Sequence, residues 1–275
     1  MNTTGILYAA SSLGIIGLVF GVLLGYASKK FEVKVDERVP KVREVLPGAN
    51  CGGCGYAGCD AYAKAVVEEG ADVNCCGVGG PSVAKAIGDI LGVKSSGVEK
   101  KIAFVRCGGD CSKSKDKYEY EGIVDCIEAS QLPGAGPKGC EHGCLGLGSC
   151  IKVCKFDAIH IVDGIAIVDE NKCTNCGACI NICPKNLITS IPQKNKVRVK
   201  CNSKDAGKKV RENCSIGCIG CKICEKGCPS QAVFVSDNLA AIDYEKCTQC
   251  NICYEKCPTK AIISDKKREP KEKVS

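Results

Sequence analysis

The chain opens on an uncharged run. From Gly5 to Ser28, GILYAASSLGIIGLVFGVLLGYAS carries no charged residue, and a helix needs about 20 apolar residues to cross a bilayer. Lys29, Lys30 and Lys34 follow, and nothing basic precedes. A positive flank on that side places the remainder of the chain in the cytoplasm, so residues 1–30 read as a transmembrane anchor. A cleaved leader would need a basic start and a small-residue cleavage site, and the run has neither. Gly17, Gly21 and Gly25 recur every fourth residue, with Gly14 nearby, a stripe that suits close packing against another membrane helix. One helix cannot form an ion pathway, so any transport would need partner subunits.

Beyond the anchor the pattern breaks into short pieces. Residues 31–46 read as a charged connector and 47–93 as a compact cysteine-bearing module. Inside the module, DAYAKAVVEEG has helical apolar spacing and a glycine stop. GVGGPS then lacks the Lys-Ser/Thr of a phosphate loop and has no strand before it, so it reads as a turn. Residues 94–137 combine linker sequence from GVKSSGVEKK, a strand-like alternation in KIAFVRC (101–107) and a charged loop, SKSKDKYEYE. Two long segments, 138–191 and 214–264, then repeat one another. A connector strand over 192–213 joins them, and a charged tail, 265–275, follows. In both segments 19 positions separate the last cysteine of one run from the first of the next, 154 to 173 and 228 to 247. The stretch between reads as strand, turn, strand.

Composition then supplies the chemistry. The 275 residues include 26 cysteines, no Trp and one Met, and only 5% are aromatic. Such a chain cannot build a large aromatic core, and bound metal is the natural staple; the apo-chain beyond the anchor is expected to be largely unfolded. Tight C-x2-C runs are poorly placed for disulfides between distant strands and read as metal ligands. Three runs match C-x2-C-x2-C-x3-C-P: Cys173/Cys176/Cys179/Cys183 with Pro184, Cys218/Cys221/Cys224/Cys228 with Pro229, and Cys247/Cys250/Cys253/Cys257 with Pro258. In a two-cluster ferredoxin, three cysteines of such a run hold one [4Fe-4S] cube and the fourth reaches to the other. Zinc would favour two pairs with a longer linker.

That rule assigns Cys218, Cys221, Cys224 and Cys257 to one cluster, and Cys247, Cys250, Cys253 and Cys228 to its neighbour. The remaining run is wider, Cys140-x3-Cys144-x5-Cys150-x3-Cys154, with Lys155 in place of proline. Aligning Cys154 with Cys228 assigns Cys140, Cys144, Cys150 and Cys183 to a third cluster, and Cys173, Cys176, Cys179 and Cys154 to a fourth. His142 in that loop reads as solvated. Cys51, Cys54 and Cys59 would hold a fifth with Cys75 or Cys76. Cys107, Cys111 and Cys126, with Cys201 or Cys214, are left for a sixth, brought together if the strands KIAFVRC and KVRVKC pair. The expected fold is therefore α+β: a transmembrane helix, a small helical four-iron domain and two ferredoxin-like two-cluster repeats. The formal charge of +7 counts every cysteine as a neutral thiol. Five or six oxidised clusters of about −2 each bring the loaded chain to about −3 to −5, which removes the case for a nucleic-acid partner.

With these pieces in place the chain resembles the B-subunit family of the Rnf complex, the ion-translocating ferredoxin:NAD oxidoreductase. The resemblance rests on the anchor and on LPGANCGGCGYAGCDAYA, GPKGCEHGCLGLGSC and CSIGCIGCKIC. It implies Cys51, Cys54, Cys59 and Cys76 as the four-iron ligands, although Gly77 and Val78 stand where the family has prolines. It further implies that the chain takes electrons from soluble ferredoxin and relays them to other membrane subunits. The whole complex would couple ferredoxin:NAD oxidoreduction to Na+ or H+ translocation across the cytoplasmic membrane of a prokaryote, with the clusters on the cytoplasmic side. NAD and flavin sites are expected in other subunits, consistent with the lack of G-x-G-x-x-G after a strand, and no autonomous catalytic site is expected here. The rivals are a free-standing polyferredoxin serving a hydrogenase or other reductase, which would not need the anchor, and a colourless zinc-stabilised scaffold. Anaerobic assay should find about 20–24 iron atoms per chain with matching acid-labile sulfide, and fewer than about eight irons would defeat the multi-cluster reading.

Overall fold

The computed structural model describes residues 3–30, 36–93 and 99–266. The middle of the expected linker, the start of the connector and nearly all of the tail lie outside the described residues. The first helix, α1 (Thr3–Lys30), turns large apolar side chains such as Leu13, Phe20 and Leu24 outward. It is long and apolar enough to cross a membrane. A Cβ added at Gly14, Gly17, Gly21 or Gly25 would meet open space.

A small helical body follows: α2 (Arg38–Val45), α3 (Cys59–Lys64) and α4 (Gly80–Leu91). α3 runs on into a π-helical turn, Ala65–Glu69, closed by the left-handed Gly70. Val42, Tyr62 and Ile87 are fully buried at its centre, with Leu46, Val66 and Val73 around them. Two expectations change here. The connector at 31–46 contains α2, whose Val42 anchors the module. GVGGPS is not a free turn but the start of α4, because Pro81 falls in the first turn, where its missing N–H is no loss.

The remainder mixes short helices and strands. In order these are β1 (Lys101–Val105), α5 (Cys126–Ser130), α6 (Ser149–Lys152), β2 (Ile159–Val162), β3 (Ile165–Val168), α7 (Ala178–Ile182) and β4 (Ile188–Pro192). Then come β5 (Arg198–Val199), α8 (Gly207–Asn213), α9 (Ile223–Lys226), β6 (Val233–Ser236), β7 (Leu239–Ile242), α10 (Ile252–Lys256) and β8 (Ile262–Ile263). Among the described residues all strand pairing is two-stranded and antiparallel. β2 and β3 turn on Asp163-Gly164, and β6 and β7 on Asp237-Asn238; all four residues have positive φ, as a two-residue hairpin with right-handed twist requires.

β1 and β5 do not pair with each other, contrary to expectation. β1 pairs with β4 and β5 with β8, so each closes its own half of the body. Cysteines stand in both cores beside Ile102, Leu187 and Ile188 in one, and Val197, Tyr254 and Ile262 in the other.

One arginine ties the halves together. Arg198 on β5 is buried; its Nε donates to the Asn195 carbonyl at 2.7 Å and its Nη1 pairs with Glu170. The guanidinium also lies 5.3 Å from the centroid of the Phe104 ring on β1. Replacing Arg198 by Ala should cost about 2–3 kcal/mol, since a hydrogen bond to a charged group contributes about 1.5–3. Anaerobic denaturant titration of the loaded protein reads this, and an unchanged midpoint would show that the clamp contributes nothing.

Candidate metal centres

The cysteines gather in fours. Cys51, Cys54, Cys59 and Cys76 line one cavity with Tyr62, and Cys176 closes it from outside the module. Cys75 does not line it: its N–H donates to the Tyr62 hydroxyl at 3.3 Å, and burial, then nearby Asp72, push its thiol pKa up. The fold thus turns Cys76, not Cys75, towards this group, site A. Cys154, Cys173, Cys176 and Cys179 interact electrostatically as site B.

Cys144, Cys150 and Cys183 line another cavity, site C, but its fourth cysteine is Cys126 at the start of α5. Cys140, expected with that group, instead shares a cavity with Cys107, Cys201 and Cys214, site D. Cys111 joins neither. It is exposed, its N–H donates to the Asp163 carbonyl at 2.9 Å, and its sulfur lies against Gly164. Cys218, Cys221, Cys224 and Cys257 line site E; Cys228, Cys247, Cys250 and Cys253 interact as site F. Every cysteine but Cys75 and Cys111 belongs to one of these groups.

Backbone geometry explains the gathering. In each C-x2-C-x2-C loop the residues flanking the second cysteine are left-handed: Asn175 and Gly177, Gly220 and Lys222, Gln249 and Asn251, with φ between 56° and 82°. Two such residues curl the loop so that its thiols turn to one side. Gly146 and Gly148 repeat the pair, with φ of 73° and 80°, around Leu147. Cys144, Leu147, Cys150 and Cys154 therefore keep the C-x2-C-x2-C-x3-C spacing with leucine in second place. The run is not stretched; it lacks one thiol, and the segment between β1 and α6 brings Cys126 instead. Leu147 is the sequence signal that points to this arrangement.

Site D takes one cysteine pair from each half. Cys140 precedes Cys144 by four residues, as Cys214 precedes Cys218. The Cys144 N–H donates to Cys107 Sγ at 3.4 Å, and the Cys218 N–H to Cys201 Sγ at 3.2 Å. Other main-chain N–H groups reach sulfur likewise: Gly79 to Cys76 (3.4 Å), Ala103 to Cys173 (3.3 Å), Ala158 to Cys154 (3.4 Å) and Ala232 to Cys228 (3.3 Å).

Neighbouring groups lie within electrostatic reach of one another in turn. Cys51 of site A interacts with Cys176 of B, Cys150 of C with Cys179 of B, Cys107 of D with Cys144 of C, and Cys201 of D with Cys218 of E. Sites E and F share one core, in which Cys224 and Cys253 are buried. The order is A–B–C–D–E–F.

Burial pushes the thiols of Cys150, Cys179, Cys201 and Cys224 up to about 12. Around Cys150, Cys179 and Cys224 the neighbouring sulfurs push the same way. Four thiolates in so dry a cavity need a cationic centre, and interleaved four-cysteine sets with N–H donors to sulfur fit [4Fe-4S] clusters.

Comparison with known proteins agrees with this chemistry. Family models match residues 46–78 ("Putative Fe-S cluster"), 166–189 (4Fe-4S binding domain) and 217–262 (4Fe-4S dicluster domain). The chain is 48% identical to the B subunit of the Na+-translocating ferredoxin:NAD+ oxidoreductase complex of Acetobacterium woodii, over 89% of this chain and 73% of the relative. It is 47% identical to the B subunit of the ion-translocating oxidoreductase complex of Methanosarcina acetivorans, over 85% and 88%. With the B subunit of the proton-translocating ferredoxin:NAD+ oxidoreductase complex of Clostridium ljungdahlii the identity is 44%, over 85% and 82%.

Proposed function

This chain belongs to the B-subunit family of Rnf ion-translocating ferredoxin:NAD oxidoreductase complexes, and from that premise we propose that sites A to F hold six [4Fe-4S] clusters in one line. As such a subunit the chain is an iron–sulfur electron-transfer protein. The carrying observation is that all cysteines but two form six groups of four, each beside the next. The two ferredoxin-like repeats supply B and C from one half, E and F from the other, and D from both.

When bound, a [4Fe-4S] cluster supplies a one-electron acceptor and donor whose potential follows the hydrogen bonds to its sulfurs and its exposure. The protein's residues set those terms. Main-chain N–H groups donate to Cys107, Cys201, Cys173 and Cys228, and the apolar walls of site C exclude water with Val105, Leu187 and Ile188. Cys221 and Cys250 are exposed, which opens the E–F end to a soluble partner, and we assign reduced ferredoxin to it. The A end follows α1 in the chain, so electrons leave there for the membrane subunits. α1 anchors the chain, with its cysteine-bearing body on the cytoplasmic side by the charge of Lys29 and Lys30. The chain needs no catalytic site of its own; NAD reduction and Na+ or H+ movement belong to the assembled complex. The anchor disfavours the alternative of a free polyferredoxin serving a hydrogenase or other reductase.

Replacing Cys126 or Cys140 by Ser should each remove about four irons per chain, whereas Cys75→Ser and Cys111→Ser should leave iron unchanged. In the assembled complex, Cys140→Ser should slow ferredoxin-dependent NAD reduction at least about tenfold, because site D joins the halves. Full iron content in Cys140→Ser would refute the wiring.

A further inference from the structure

Site D joins two halves whose spacing repeats, so charged residues near it have counterparts. Several of these pairs are unequal, and in two of them the anchor-side half holds a cation that is not exposed, whereas Lys222 of site E is exposed. Lys138 stands two residues before Cys140, where Glu212 stands two before Cys214. Lys185 stands two residues after Cys183, where Thr259 stands two after Cys257. Arg106 beside Cys107 matches Lys200 beside Cys201 in sequence, but Lys200 lines site D while Arg106 lines a separate cavity with Phe104 and Tyr244.

Lys138 is only 6% exposed. Its Nζ donates to the Cys144 carbonyl at 2.9 Å, its side chain lines site D, and its charge acts on both Cys144 and Cys214. Lys185 lines site C, donates to the carbonyls of Ala135 and Glu141, and acts on Cys140 and Cys183. Among the described residues, neither ammonium has a carboxylate at ion-pair distance; Glu141 pairs with Lys117 and Lys209. Across site D, Glu212 is exposed and the Thr259 hydroxyl meets Cys257 Sγ at 3.8 Å.

A buried ammonium needs a counter-charge, and ligating thiolates are the anions nearest to hand. We propose that Lys138 and Lys185 serve as the counter-charges of sites C and D, favouring reduction on the anchor side of D over the site E side. Positive charge beside a centre stabilises the added electron, so the asymmetry gives the line a direction from F towards A. This rests on the six-site wiring above.

The test is an EPR-monitored redox titration of the iron-loaded full chain under anaerobic conditions. Lys138→Met and Lys185→Gln should each lower at least one midpoint by about tenfold in the one-electron equilibrium, which is about 59 mV. Lys138→Arg should restore it, and Glu212→Gln should leave every midpoint in place. Unchanged midpoints in iron-replete Lys138→Met and Lys185→Gln overturn the proposal. If Lys138→Met loses iron, the part-exposed Lys185→Gln decides alone. Failure of the wiring is read separately, as a wild-type chain with no more than about 20 irons.

Discussion

Four sulfurs brought into one dry cavity repel one another once ionised, and the protein cannot hold them there without a cation. Burial, reinforced by the neighbouring sulfurs, drives the thiols of Cys150, Cys179, Cys201 and Cys224 to about 12, so at neutral pH these thiols are neutral without metal. Metal binding would then contribute directly to folding. The short strands and four-residue helices around the sites make sense in that light: they enclose cavities whose contents complete the core. Cysteines stand beside Ile102, Leu187 and Ile262 in the apolar clusters because a loaded site is part of the packing.

The loops achieve this with backbone alone. Paired left-handed residues around each second cysteine curl the chain, and the feature persists at Gly146 and Gly148 even where the cysteine has become Leu147. That persistence shows the loop conformation to be independent of the thiol it usually presents. Once the curl exists, a thiol from elsewhere can fill the missing place, and Cys126 reaches it at the start of α5. Its N–H is held by Ser149 Oγ at 2.7 Å, and Ser149 in turn donates to Asp125 at 3.0 Å.

Site D is a group of four cysteines that neither half supplies alone. Cys107 and Cys140 come from one half, Cys201 and Cys214 from the other, and the same N–H-to-sulfur bond recurs on each side. Arg198, bonded to Glu170 and stacked on Phe104, keeps the halves in the register this requires. The symmetry is in spacing rather than in charge. Lys138 and Lys185 have no cationic equivalents across site D, and that inequality is what an electron passing through would feel.

Much of this was open to reading in one dimension. The uncharged run Gly5–Ser28, the C-x2-C-x2-C-x3-C-P runs and the repeated interval of 19 residues are local features, and they determine an apolar helix and 4Fe-4S domains of ferredoxin type. Local spacing carries that information because one loop supplies three sulfurs of a site. The composition of site C and site D did not follow from spacing, since each draws cysteines from segments far apart in the chain. Cys126 and Cys140 exchange places relative to expectation because Leu147 occupies the second place of the run, and α5 brings Cys126 to site C while Cys140 lines site D. Cys75 and Cys76 are adjacent, and only the packing of Tyr62 turns one inward. Tertiary structure decided these points because the choice depends on which thiol can reach a cavity after the strands have paired.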